Sequence, residues 1–231
     1  MRSPQAISFS EIGRRSAARR DSQGLKKKAG IGDKIETRRA GRFVVHVNLP
    51  QPARGVKCVA MKATFQVVEE AKRAGVIQNY AVAGAVGAIF YIEPFQTGDI
   101  DFLVHFPVGS SLLVSLEPIH EWLRSHDYRM DNSGSFIVEG WPIQFVPVSD
   151  ELSSEALKKA QYLPYDETFS VRVVRPEYLA AEALRLRRPK DIQRISMLLL
   201  SDDFDRNAFD EIVVKFGLEN HLKRIEGQLI Q

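Results

Sequence analysis

A single cysteine, Cys58, stands in a chain of 231 residues. An intrachain disulfide is therefore excluded, and an intracellular, cytoplasmic setting is expected. Long apolar runs are also missing. The longest, Tyr80 to Ile92, is interrupted by Gly84 and Gly87 and closed by Glu93, whereas a membrane span needs about 20 residues. The N-terminal stretch lacks the apolar segment of a signal peptide, so no membrane partner is expected. The dinucleotide fingerprint Gly-x-Gly-x-x-Gly is absent, and Gly30-Ile31-Gly32-Asp33-Lys34 lacks P-loop spacing. The five histidines show no metal-site spacing, which with one cysteine argues against zinc. No Ser-His-Asp constellation, internal repeat or coiled-coil heptad is found.

What is present is an ordinary globular composition, 44% apolar and 26% charged, in a length that suits one mid-sized domain or two small ones. The net charge of +3 hides an asymmetry. Residues 1–60 hold 14 Lys or Arg against 4 Asp or Glu, and the rest holds 18 against 25, so +10 and −7 combine to +3. The basicity belongs to the first sixty residues, and the body is mildly acidic. Residues 1–60 are poor in large apolar side chains up to Gly41 and are expected to be disordered, because too little burial is available to offset the ordering entropy. Three readings of this tail stand: a dispensable or over-extended start, with Met61 as the true one; an electrostatic arm for RNA or DNA; or an organelle transit segment.

Periodicity divides the remainder into a core at 61–165 and a helical region at 166–231. Met61–Ala74 has helical spacing, with Phe65, Val68 and Ala71 on one face and Gly75 as its stop. Tyr80–Ala83 reads as a strand, Gly84 as a turn, Ala85–Tyr91 as a helix, Glu93–Gly98 as a loop and Asp99–Phe106 as a strand. Leu116–Ser125 and Leu152–Gln161 read as helices. Phe136–Glu139 and Ile143–Val146 read as a hairpin around Gly140-Trp141-Pro142, with Pro147 ending its second strand. If Gly140-Trp141 is a two-residue loop, Val138 opposes Ile143. After an extended Phe169–Val174, helices are expected at 176–187, 189–200, 205–216 and 219–230. Pro176 and Pro189 suit first helical positions, Asp205 an N-cap, and Gly217 a C-terminal stop. The pattern predicts an α/β (α+β) fold: a small mixed sheet with flanking helices, then a helical C-terminal region.

Two features carry chemistry. Spacing of two along a strand puts Asp99 and Asp101 on one face, about 7 Å apart, with Ile100, Phe102 and Val104 facing the core. Carboxylates so placed repel unless a cation lies between them. Hard oxygen donors of this kind suit Mg²⁺, which takes one or two carboxylates plus substrate phosphates. An exposed pair at a loop end is the plainer alternative. The second feature is strand, Gly84, helix start, which lets backbone approach a phosphate closely. Close helix packing through Gly87 and Ala88 is its plainer alternative. Lys190 and Arg194 share a face of one predicted helix at i, i+4, either as a phosphate clamp or as a solvated face.

Residues 80–104, from Tyr-Ala-Val-Ala-Gly-Ala to Thr-Gly-Asp-Ile-Asp-Phe-Leu-Val, resemble the signature of the polymerase-β-type nucleotidyltransferase superfamily. The resemblance runs over about 61–218 and is nearest to small prokaryotic nucleotidyltransferase-like proteins related to abortive-infection type II toxins. Pro176-Glu177-Tyr178-Leu179 and Arg188-Pro189-Lys190-Asp191 with Arg194 are similar to the helical part of those proteins. The resemblance implies metal-dependent transfer of a nucleoside monophosphate from an NTP to an acceptor: RNA, protein or a small molecule. It implies Mg²⁺, one ion or two, on Asp99 and Asp101. Gly84, Ala85, Thr97, Lys190 and Arg194 would lie against the nucleotide. Three departures stand out. Ala85 replaces a usual Gly or Ser, Gln96 stands where a basic residue often sits, and Gln144 takes the place of the third carboxylate. Glutamine can coordinate but cannot act as a base. The alternative is thus an inactive member that binds nucleotide or a partner protein, as in toxin–antitoxin pairs.

Deleting residues 1–60 is expected to leave the melting temperature of the body unchanged, and to abolish salt-sensitive RNA binding if the tail is an arm.

Overall fold

The computed structural model describes residues 57–107 and 115–229, and the expectations for residues 1–56 lie outside them. Helix α1, Lys57–Arg73, begins four residues ahead of Met61, so a truncation at residue 56 keeps it whole. Strand β1 (Asn79–Val82) follows, then helix α2 (Gly84–Ile89), β2 (Ile100–His105) and helix α3 (Glu117–Ser125). Three strands come next: β3 (Arg129–Met130), β4 (Phe136–Val138) and β5 (Trp141–Pro147). Helix α4 (Glu151–Lys159) leads to β6 (Gln161–Pro164) and β7 (Ser170–Val173). The chain continues through α5 (Pro176–Leu186), α6 (Pro189–Leu198), α7 (Arg206–Lys215) and α8 (Glu219–Leu229). No helix among the described residues is long and apolar enough to cross a membrane.

Among the described residues, the strands form one mixed seven-stranded sheet in the order β3-β4-β5-β2-β1-β7-β6, with helices flanking it. Strands β1 and β2 are antiparallel, β2 and β5 parallel, and β1 and β7 parallel. Alternation along β2 sends Ile100, Phe102 and Val104 into the core, where each is fully buried. Phe102 lies edge-on to Phe65 of α1 at 6.2 Å and to Tyr80 of β1 at 5.9 Å. The opposite face, carrying Asp101 and Leu103, lies under α4 and α5, where these strands and helices line one cleft.

The division drawn at residue 165 falls between β6 and β7, which pair antiparallel, so the sheet continues past it. The helices that follow are tied to the sheet as well. The Tyr91 hydroxyl donates to the Val174 carbonyl, Ser201 Oγ to the Tyr91 carbonyl, and the Asp205 amide to Glu177 Oε1. Local signals start these helices where expected. Pro176 and Pro189 occupy the first turns of α5 and α6, and the Asp205 carboxylate accepts from the amides of Asn207 and Ala208.

Two expectations are corrected. The hairpin loop is Glu139-Gly140, so Val138 pairs with Trp141 and Phe136 with Ile143. A two-residue loop of this type needs positive φ at both positions; Glu139 (φ 51°) and Gly140 (φ 83°) supply it, while Trp141 is buried in the strand. Gln161 belongs to β6 rather than to the preceding helix. That edge strand is largely exposed and carries none of the alternation that marks a half-buried strand, and β3, exposed at both residues, is silent for the same reason.

Phe102→Ala removes the aromatic junction between α1, β1 and β5. The expected loss is about 4 kcal/mol, measurable as a lower urea midpoint at unchanged m-value.

Candidate functional site

Parallel pairing of β2 with β5 puts Asp101 directly beside Gln144. Gln144 is exposed between buried Ile143 and Phe145, so it shares the cleft face of the sheet with Asp101. Asp99 sits one residue ahead of β2, and all three line an open cleft of about 620 Å³, a size that suits a small ligand. Glu139 is not part of this face: it sits in the hairpin turn and accepts from the Tyr128 hydroxyl at 2.7 Å.

Antiparallel pairing of β1 with β2 then delivers Gly84 to the same spot. Val82 pairs with Phe102, and the Ala83 amide donates to the Asp101 carbonyl at 2.8 Å. A Cβ at position 84 would lie 1.9 Å from Asp101 Oδ2, and its φ of +57° is one that side chains disfavour. Glycine is therefore required by both backbone and space. Gly87 serves packing, because a Cβ there would stand 3.0 Å from the Val82 carbonyl. Ala85 is buried and lines the cleft. Thr97 is also buried, and its hydroxyl donates to the Asp99 carbonyl at 3.2 Å, bracing the loop that presents the first aspartate.

Cations reach the cleft from α6. Lys190 is exposed, but Arg194 retains only 9% of its surface and Asp191 none, so this helix face is not simply solvated. Asp191 Oδ2 accepts from the Arg188 amide at 3.1 Å and from Arg188 Nε at 2.6 Å, and Oδ1 accepts from Arg188 Nη2 at 3.1 Å. Arg194 Nη1 lies 3.5 Å from Asp191 Oδ1, and the guanidinium carbon lies 5.9 Å from the ring centre of Phe95. Among the described residues, its buried Nε has no hydrogen-bond partner. Arg188 and the buried anchor Asp191 belong to the Arg-Pro-Lys-Asp motif, and only their place in the structure joins them to the cations of the cleft. The sequence signal for the anchor is an acid two residues after an N1 proline, placed to cap the helix start.

Three carboxylates (Asp99, Asp101, Asp191) thus meet three cations (Arg188, Lys190, Arg194). Burial pushes the Asp101 carboxyl above its ordinary range, and the like charge of Asp99 adds to this, while Arg194, Lys190 and Arg188 oppose it. Burial likewise holds the Arg194 guanidinium below its usual range, against the pull of Asp191 and Asp101. Among the described residues, no group of three or more His, Cys, Asp or Glu is placed to hold a metal. The donors available are the two aspartates and the Gln144 amide. Such a set fits a hard divalent cation that completes its shell with water and phosphate oxygens, because the cation would relieve the repulsion that Asp101 feels from Asp99.

The raised pKa has a stability consequence. A carboxyl whose folded pKa exceeds its unfolded value contributes fully below the unfolded pKa, and that contribution is lost as pH rises through the folded one. Asp101→Asn is therefore expected to raise the melting temperature of the free protein at pH 7. The gain should shrink to nothing as the pH falls below about 4, the ordinary Asp value.

The chain is similar in structure to a solved antigenic nucleotidyltransferase-like protein from Paracoccidioides brasiliensis. The identity is 11% and the TM-score 0.39, over 71% of this chain and 92% of that one. No protein-family model matches the chain, and no curated protein matches it.

Proposed function

We propose that the cleft binds an NTP and transfers its nucleoside monophosphate to an acceptor, an RNA, a protein or a small molecule. The observation that carries this reading is the convergence on Asp101. Gly84 abuts its carboxylate, Gln144 lies beside it in register, and Asp99 and the α6 cations share the same cleft. Asp99 and Asp101 would hold Mg²⁺, which when bound neutralises phosphate oxygens in an in-line displacement. Gly84, whose missing side chain makes room for the Asp101 carboxylate, would bring the backbone of the turn beside the phosphates held by that carboxylate's cation, and Ala85 extends that wall. Lys190 and Arg194 offset the charge of the triphosphate and of the departing pyrophosphate, with Arg188 alongside. Arg194 brings a cation to the Phe95-Gln96 loop, which has no basic residue of its own. Asp191 fixes the two arginines before the ligand arrives, so little reorganisation remains to be made on binding.

Gln144 favours a second reading. At the position beside Asp101 an amide can coordinate or donate, but it cannot take the acceptor's proton. An inactive protein that binds nucleotide or a partner, as one half of a toxin–antitoxin-like pair, fits that substitution.

Labelled NTP, Mg²⁺ and cell RNA or protein separate the two readings. The transferase moves label to an acceptor and loses this in Asp101→Asn; the inactive form binds NTP and transfers nothing. Absence of both binding and transfer removes the nucleotide reading. Gln144→Asp is expected to tighten Mg²⁺ binding by adding an anionic donor; unchanged affinity in a direct titration would place residue 144 outside the metal's reach.

A further inference from the structure

The cleft extends well beyond the aspartates. Because β2 and β5 run parallel, one two-residue step along both leads from Asp101 and Gln144 to Leu103 and Val146, about 7 Å on. All four line the cleft. Over this apolar floor lies one face of α5, with Leu179, Glu182, Ala183 and Leu186 on the cleft wall at the i, i+3, i+4, i+7 spacing of a single helical stripe. Glu182 is the only polar residue of that stripe. Its Oε2 accepts from Arg185 Nη2 at 2.7 Å, and Arg185 also pairs with Asp150, the cap of α4. Among the described residues no other group donates to Glu182, whose side chain keeps 27% of its surface exposed. Burial raises its pKa and Arg185 lowers it. Leu103, Val146, Leu179, Ala183 and Leu186 thus give this part of the cleft apolar walls, into which Glu182 brings one carboxylate, with Arg185, Ser149 and Ser153 also on the lining.

Resting on the nucleotide reading above, we propose that this end is a nucleobase subsite in which Glu182 selects bases that carry an exocyclic amino group. A carboxylate only accepts hydrogen bonds. Adenine and cytosine offer an amino donor at the pairing edge, and guanine offers its N2 amino group next to the ring N–H. Uracil offers one ring N–H flanked by two carbonyl oxygens, whose lone pairs face the carboxylate unfavourably. A fixed acceptor in the wall discriminates, because a base that offers no donor to its Oε1 leaves that oxygen desolvated and unpaired. Leu103 and Val146 on one side and Leu179 and Ala183 on the other would flank the ring. Arg185 lies beside Glu182, holding the acceptor in place from its Oε2 side.

Calorimetric titration of ATP, GTP, CTP and UTP with Mg²⁺ at pH 7.5 tests the assignment in the full chain, using wild type, Glu182→Gln and Asp99→Asn/Asp101→Asn. The expected result is that UTP binds about tenfold more weakly than the other three. Glu182→Gln, whose amide can also donate, should close that gap, chiefly by improving UTP. Glutamine is close to isosteric at a part-exposed position, and equal melting curves verify that the variant folds. Equal affinity for all four nucleotides in wild type, lost in the double aspartate variant, would overturn the subsite while leaving the nucleotide reading intact. A gap that persists unchanged in Glu182→Gln would also assign the selection elsewhere. Failure of every NTP to bind the wild type would overturn both readings.

Discussion

One oxygen of the Asp101 carboxylate occupies the space that a side chain at position 84 would need, 1.9 Å from where its Cβ would be. This close approach follows from the antiparallel register of β1 and β2, which places the end of one strand against the beginning of the other. Much of the site depends on it. A left-handed glycine is needed to turn the chain from β1 into α2, and the same absence of a side chain lets the turn lie against the carboxylate. The parallel partner β5 then fixes the other side, because its register decides which residue stands beside Asp101.

The charges across the cleft are arranged on a buried anchor. Asp191 has no exposed surface, and its two oxygens hold Arg188 and lie against Arg194. Removing one partner from such an arrangement leaves an uncompensated buried charge, which costs far more than the pair gains. Its value lies in position: two guanidinium groups are set facing two aspartates before any ligand is present. The free protein bears the cost in the elevated pKa of Asp101 and in the unpartnered Nε of Arg194. Both show that the groups of this cleft do not fully satisfy one another.

The two ends of the cleft differ in chemistry because they are built from different faces. The charged end comes from strand ends, a glycine turn and the first turns of α6. The other part comes from the middle of the sheet and one largely apolar stripe of α5, with Arg185, Ser149 and Ser153 beside it. A single acid in that stripe is conspicuous against such a background, much as Asp99 and Asp101 are conspicuous at the edge of an otherwise apolar strand.

Local chemistry made much of this legible. Spacing of two along a strand placed Ile100, Phe102 and Val104 in the core and Asp101 on the opposite face, since strand periodicity needs no tertiary information. The same alternation puts Gln144 opposite the buried Ile143 and Phe145. Caps and prolines marked the helices at Pro176, Pro189 and Asp205, because those signals act within one turn. The division at residue 165 could not anticipate that β7 joins β1 across the sheet, because pairing between distant segments leaves no local pattern. The hairpin register depended on which residues could accept positive φ, a contest that the burial of Trp141 settles. Only the tertiary structure buried Asp191 and Arg194 on a helix whose sequence reads equally well as a solvated face. It alone brought Glu182 to the wall of the same cleft as Asp101, for burial and proximity belong to the packed chain.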